Sequence, residues 1–552
     1  MNKHLLIVGL LAVGLPLTAG AWSTNYVDVG RSGLSLNTGT NWANAYTNLG
    51  DALAVSWTND RVWVAAGTYY PTNGTNRGAT FNVRKQVSIY GGFTNGGSMA
   101  DRNWNANVTV LSGDIGLPNV NTDNSYNVVT AIGNWETIDG FTIRDGYNAD
   151  TVPPPYTIDK YGAGISCHGS IPSNILNCTF FNNAARYAGG AIYMGKILSG
   201  GGVLISNCLF VGNSVPFTGS EGDGAIGVRP LSTVLTITHC NFYDNYCISA
   251  GGAVHLQLES GAGACVVKQC RFVGNRAGGN GGALFYGVRS AYYRTRNCLL
   301  AGNTGAKGGG IYFHWTSDDR NRFETENCTL VGNYGAKGGA VYLLSSIACL
   351  TNNILWDNVS LNNADGNGMF IASAGTAYVG YVCSQGGLVY PAVSNAGALY
   401  DQGGNITGDP LFATNLYSGT WKTDAVYSSN TMQTVLTDTG AAWPVNGLAG
   451  YVVNPHVGDR ASGSNYRMFH IVTNSATSLT VWGDAAALGT NASSYAVNDY
   501  HLPANSSCVN KGMNQDWMTN SVDLDGRMRL RYGAVDMGAY ECIYKGTVFG
   551  FR

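Results

Sequence analysis

The side chains able to do chemistry on a polymer are few and scattered. Asp318, Asp319 and Arg320 follow His314 and Trp315, and Lys307 and Lys337 stand 30 residues apart. Carboxylates beside a base are the ingredients of cation binding and of acid–base work. No motif joins these ingredients, and an Asp-Asp-Arg run is more often a solvated turn than a calcium site. Asp523 and Asp525 open like a calcium loop (DxDG) but lack its later acidic ligand. His239 and His255 have no serine or cysteine partner at a telling spacing, and no CxxC pair occurs beside a histidine, so no metal centre is expected. A second class of candidate is aromatic. Tyr193, His255, Phe285, Tyr312 and Tyr342 recur at one position of a repeat, and such a row could stack on sugar rings or a protein surface. The competing reading is that aromatics suit strands and pack beneath a neighbouring loop. The catalytic residues, if any, stay unassigned.

What must position these residues is a repeat. The signature Asn177–Asn183 (NCTFFNN) returns from Asn207, His239, Gln269, Asn297, Asn327 and Asn352, at steps of 30, 32, 30, 28, 30 and 25. Between its copies lies Gly-Gly-Ala followed by Ile, Leu or Val, at Gly189, Gly251, Gly281 and Gly338. Variants occur at Gly162, Asp223 and Gly309. A period near 30, rich in β-branched and aromatic residues, predicts a β-solenoid whose coils pair in parallel. Equivalent residues then stack about 4.8 Å apart in columns. The column Ile192, Ile226, Val254, Leu284, Ile311, Val341 is apolar throughout and is read as inward, as are the cysteines from Cys178 to Cys328 and the row from Phe180 to Leu355. The aromatic row lies between two inward columns and is expected to face outward. Glycines are expected at corners, as is the Asn ladder (Asn183, Asn213, Asn245, Asn275, Asn303, Asn333, Asn358), since Asn tolerates the left-handed region. Arg294 and Glu324, like Arg296 and Glu326, are one coil apart and should form cross-coil ion pairs.

FxxN alternating with GGA[ILV] resembles the repeat of the polymorphic membrane proteins, adhesin-like autotransporters. More broadly it resembles the right-handed parallel β-helix, or pectate-lyase-like, superfamily. The resemblance covers roughly Gly162 to Asn358. An autotransporter also carries a C-terminal transmembrane β-barrel, and no run of ten-residue alternating strands is visible here. Lyases of this fold use acidic calcium ligands with an Arg or Lys base, so calcium is the one cofactor a lyase reading would require. Otherwise none is expected.

The flanks complete the expected organisation. Lys3 and His4, the apolar run Leu5–Leu17 and Ala19-Gly20-Ala21 read as an export signal over residues 1–21. Residues 22–415 are assigned to the β-helix, with a capping helix over Ala43–Val55 that places Ala45, Leu49, Ala52 and Leu53 on one face. Residues 416–498 read as a small β-rich insert. Residues 499–552, with DLDGR from Asp523 and DMGAYE from Asp536, resemble the choice-of-anchor-Q region of bacterial surface proteins. The predicted fold is therefore all-β: a right-handed parallel β-helix with an N-terminal helical cap and a small β module inserted near its end.

Composition agrees with that fold. Of 552 residues, 76 are Gly, and charged residues make up 12%, about half the usual share. Hydrophobic content of 45% excludes disorder, and a net charge of −2 gives no nucleic-acid footprint. Thirteen cysteines in an exported chain raise the question of disulfides. The laddered ones repeat at the coil period as small buried apolar residues do, which favours a reduced stack, and Cys508 with Cys542 is the best candidate bridge. The expected protein is exported, at the cell surface or secreted. It works without catalysis in adhesion or glycan binding, with a polysaccharide or a host or cell-surface ligand as partner. The alternatives are a polysaccharide lyase or glycoside hydrolase acting on acidic polysaccharide, and a purely structural surface protein.

Overall fold

The computed structural model describes residues 23–542 apart from 32–36, 133–136, 150–159, 169–172, 198–201, 218–221, 232–233, 258–263, 288–291, 315–321, 362–365, 388–391, 394–396, 459–465 and 532. The export signal, the proline-rich stretch around Pro153–Pro155 and the triplet Asp318, Asp319, Arg320 lie outside the described residues. No helix among the described residues is long and apolar enough to cross a membrane.

Four parallel sheets run the length of a solenoid. Sheet I has 13 strands, from Thr24–Val27 to Ala398–Asp401; sheets II and III have 11 each, and sheet IV has six. Sheet II runs from Phe81–Arg84 to Ala392–Val393, sheet III from Gly67–Tyr69 to Cys383–Ser384, and sheet IV from Ser214–Val215 to Val359–Ser360. Each coil contributes a strand to sheets I to III through most of the solenoid, sheet IV is added only in the coils from Ser214 to Ser360, and successive coils are hydrogen-bonded in register. The chain is thus a parallel β-helix, with the right hand that parallel crossover connections take. Coils continue past Asn358 to Asp401, although the repeat signature has faded there.

The columns read from the sequence are real. Phe180 pairs with Phe210, Phe210 with Phe242 and Phe242 with Phe272. Their rings stack at 4.8, 4.6 and 4.7 Å within 5° of parallel. The six laddered cysteines are buried, and each thiol donates to the carbonyl two residues back, as Cys178 does to Leu176 at 3.1 Å. All thirteen cysteines are free thiols. The bridge expected between Cys508 and Cys542 is not formed, because the fold turns the Cys508 thiol toward Cys383 on the β-helix instead.

Two expectations are corrected in detail. The Asn ladder does not supply the left-handed corners. Those fall on the first residue of each signature, Asn177, Asn207, His239, Gln269, Asn297, Asn327 and Asn352 (φ 50–58°), and on the residue just before the ladder, such as Asn182 and Asp244. The ladder Asn instead turns inward and bonds coil to coil. The expected capping helix is also broken in two, a 3₁₀ turn at Trp42–Asn44 and an α-helix at Leu49–Val55. Between them Tyr46 is drawn into a bridge with Val27, and Asn48 restarts the helix by accepting the Gly50 N–H. Leu49, Ala52 and Leu53 still close the end of the core.

In the Gly-Gly-Ala corner the two glycines serve different ends. The first adopts positive φ, as Gly251 does at 64°. The second has no room for a side chain, since a Cβ on Gly252 would overlap the Gly282 carbonyl of the next coil.

Residues 413–499 form a separate seven-stranded antiparallel sheet with its own core around Trp421, Leu436, Phe469 and Val497. This module docks on the outside of sheet III. Arg467 pairs with Asp244, and Met468 lies against Gly274 and Gly302, where any side chain would collide with it. Residues 500–542 then fold back along the same side of the solenoid.

Candidate functional site

The aromatic row sits outside sheet II, on strands whose alternate residues fill the core. His255, Phe285, Tyr312 and Tyr342 continue to Phe370, with ring centroids 4.2, 5.1, 5.1 and 5.2 Å apart. From Phe285 onward the rings are within 9° of parallel. Each is under 9% exposed. The faces of these rings are therefore occupied by their neighbours, and a ligand would meet only ring edges. Lys307 and Lys337, in register on sheet IV, each reach the ring one coil on: the ammonium of Lys307 lies 5.6 Å from Tyr342 and that of Lys337 5.1 Å from Phe370. His314 packs on Phe285 and Tyr312, and burial together with nearby His255 holds its imidazole below the usual range. Tyr193 is separated from His255 by Gly227 and stacks on Tyr161 at 4.5 Å. The structure thus gathers Lys307, Lys337 and His314 around the row. Asp318, Asp319 and Arg320 lie outside the described residues.

Asp223 fills the gap at Gly227. It replaces the first corner glycine, and its side chain is fully buried over Gly227, where a Cβ would overlap it. Its Oδ1 accepts from Arg229 at 2.9 Å and lies 2.7 Å from His255 Nδ1. This cluster was not legible from spacing, because Asp223 reads only as a variant glycine.

A cleft of about 200 Å³ opens elsewhere, at the corner between sheets I and III. Its floor is Thr142, Thr179 and Leu209 from consecutive coils. Asn177, Asn207 and Asn241 supply amides, and Trp104 with Asn105 form a wall. The left-handed backbone at Asn177 and Asn207 throws their side chains outward along the corner. Asn207 Nδ2 donates to Asn177 Oδ1 at 2.7 Å, and Asn177 Nδ2 to Asp139 Oδ1 at 2.8 Å. Asp139 is itself clamped by Arg102, which lies over Trp104 and so fixes the wall. Its polar side chains are amides and hydroxyls, its apolar ones include Trp104, Phe141 and Leu209, and no carboxylate is among its lining residues. The signal that could have found this cleft is the first position of the signature, which is Asn, Gln or His in all seven copies.

Carboxylates do converge where the C-terminal segment meets the solenoid. His501 bridges Asp499 and Asp525, the latter at 2.7 Å, and Arg271 pairs with Asp525 at 2.9 Å. Burial opposes the imidazolium, but the hydrogen bonds to Asp499 and Asp525 outweigh it and push His501 up to about 9. The DxDG carboxylates do not fit a calcium site. Asp523 Oδ1 accepts the N–H of Asp525 and Arg527, and its Oδ2 accepts that of Glu541. Among the described residues no three His, Cys, Asp or Glu side chains are grouped to hold a metal ion.

Residues 177–195 match the Chlamydia polymorphic membrane protein repeat. They span one whole FxxN signature, Asn177–Asn183, and the following Gly-Gly-Ala strand, the doublet that defines a coil here. No curated protein matches the chain. Among solved structures, a pectate lyase (Pel9A) is 12% identical with a TM-score of 0.37, over 95% of this chain and 97% of that one. The tailspike protein of E. coli bacteriophage HK620 in complex with a hexasaccharide is 11% identical with a TM-score of 0.20, over 80% and 86%. The β-helix assignment stands on the strand register itself.

Proposed function

We propose that this chain is an exported β-helix protein, at the cell surface or secreted, that works without catalysis in adhesion or glycan binding. The observation that carries the reading is the cleft at Asn177, Asn207 and Trp104. Amides and an indole bind polymers by hydrogen bonding and stacking, and no acid or base is placed there to cleave one. The export signal read at residues 1–21 and the surface-protein repeat matched at residues 177–195 support the location. The choice-of-anchor-Q resemblance of residues 499–552 supports retention at the surface. The test is binding of the full chain to a glycan array and to cell-surface material, with Trp104→Ala and Asn207→Gly in parallel. Binding that both variants weaken supports the reading, and binding indifferent to both refutes the cleft as its site.

One observation favours the second reading, a polysaccharide lyase or glycoside hydrolase. Asp499 and Asp525 meet at His501 beside Arg271 on an outer face. Incubation with acidic polysaccharides and calcium, monitored for unsaturated or reducing ends, decides it. Product formation that is lost in His501→Asn would overturn the non-catalytic proposal.

A further inference from the structure

The amide row that lines the cleft does not stop there. Past His239 it continues along the same corner of the solenoid as Gln269, Asn297, Asn327 and Asn352, all with left-handed backbone. In this second half the row is covered by the chain's own C-terminal segment, and it holds that segment by the main chain. Asn297 Nδ2 donates to the Val522 carbonyl at 2.9 Å, and Asn327 Nδ2 to the Asp536 carbonyl at 3.1 Å. Asn352 holds both backbone groups of one residue: its Nδ2 donates to the Met513 carbonyl at 2.9 Å, and its Oδ1 accepts the Met513 N–H at 2.7 Å. A side-chain amide used in this way reads backbone, which every polypeptide carries, and not side-chain identity.

Upstream the same row is uncovered. Asn207 is exposed and Asn177 half-buried. One coil, at the exposed His239, separates this open stretch from Gln269, whose Nε2 lies 3.5 Å from the Asp523 carbonyl of the C-terminal segment. We infer that the open end of the amide row, at Asn177 and Asn207 beneath Trp104, is a docking site for an extended polypeptide segment of a partner protein, held through its backbone amides and carbonyls. This rests on the adhesion reading and names the partner class for the same cleft. The chain's C-terminal segment shows the mode of binding one stretch further along.

The test uses the full chain and a fluorescent synthetic peptide of residues Val509–Gly526, which carries the peptide units that Asn352 and Asn297 hold. Fluorescence anisotropy should rise saturably with wild-type protein. The double variant Asn177→Gly, Asn207→Gly keeps the left-handed backbone but removes both amides, and it should bind about tenfold more weakly. Unchanged melting of the variant shows that the fold is intact, and Trp104→Ala gives a second route to the same loss if it is not. Equal binding by wild type and variants, or no binding by wild type, overturns the inference. If the peptide is inert while a glycan binds in an Asn207-dependent way, the polypeptide assignment fails and the glycan reading survives. If neither binds, both fail.

Discussion

Asn275 sits in the middle of the inward Asn ladder, and removing its amide should unravel more than one coil. Its Oδ1 accepts the backbone N–H of Asn245 at 3.1 Å and the side-chain Nδ2 of Asn245 at 2.9 Å. Its Nδ2 donates to the Phe242 carbonyl at 2.9 Å and to Asn303 Oδ1 at 3.0 Å. Asn275→Ala leaves the Asn245 N–H buried without a partner, while the Phe242 carbonyl keeps the parallel ladder bond from the next coil. Asn245 Nδ2 keeps its bond to Phe210, and Asn303 Oδ1 keeps the Asn275 N–H. One orphaned backbone N–H gives a loss of about 1–3 kcal/mol, out of a total stability typically about 5–15 kcal/mol. Because solenoid coils stabilise one another through neighbours, the loss should appear first in coils 242–303. Hydrogen exchange read by mass spectrometry, beside urea unfolding followed by circular dichroism, measures both the size and the place. Asn275→Asp sharpens the test. A carboxylate can accept from Asn245 but faces the Phe242 carbonyl and Asn303 Oδ1 with no proton to give. It should be destabilising at neutral pH and recover as pH falls and the carboxyl is protonated. A loss below about 1 kcal/mol for Asn275→Ala, or exchange raised evenly over the whole chain, would refute the ladder as a set of cooperative coil-to-coil bonds.

Three further outcomes are expected. Arg529 is fully buried between Glu541 at 2.8 Å and Asn297, and Glu541, pushed up to about 8 by burial that Arg529 only partly offsets, takes up a proton when Arg529 is removed. Arg529→Met, which removes the guanidinium bonds to Asn297 and Glu541, should cost about 1–3 kcal/mol and free residues 507–541 to limited proteolysis, and a protease-resistant variant would contradict the docking described. His501 gains its partners on folding, so its folded-state value of about 9 lies above the unfolded one. Its contribution is complete below about pH 6.5 and lost as pH rises through 9, and with partial exposure discounted it amounts to ~1–2 kcal/mol. Thermal melts from pH 6 to 10 should show this slope in wild type and not in His501→Asn. Gly252→Ala drives a methyl into the Gly282 carbonyl of the next coil and should sharply reduce the yield of folded protein, whereas Gly526→Ala, where a Cβ meets nothing, strains only the local turn.

Much of the fold was legible because a solenoid writes its geometry into the sequence repeatedly. Seven signatures report the same inward Phe or Leu and the same ladder Asn, and six of them the same inward Cys, so a column can be judged on many residues at once. The cross-coil pair Arg294–Glu324, found at 2.8 Å, was legible for the same reason. Columns say which face a residue takes, but not what lies over that face. The aromatic row does point out of the core, yet its rings are closed against one another and under Lys307 and Lys337. The polar first position of each signature looked like mere turn chemistry, and its use as a backbone-reading row appeared only when the C-terminal segment was seen lying on it.

By itself, then, the sequence determined the parallel β-helix, its coil period, its inner columns and the need for glycine at its corners. Each of those follows from contacts between one coil and the next, about 30 residues away, that recur down the chain. Tertiary structure alone decided where the antiparallel module and the C-terminal segment rest, that Asp223 joins Arg229 and His255, and which stretch of the amide row stays open. Those contacts occur once each. Arg529 reaches Asn297 across 232 residues and Arg467 reaches Asp244 across 223, and a single long-range pairing leaves no periodic trace from which it could be read.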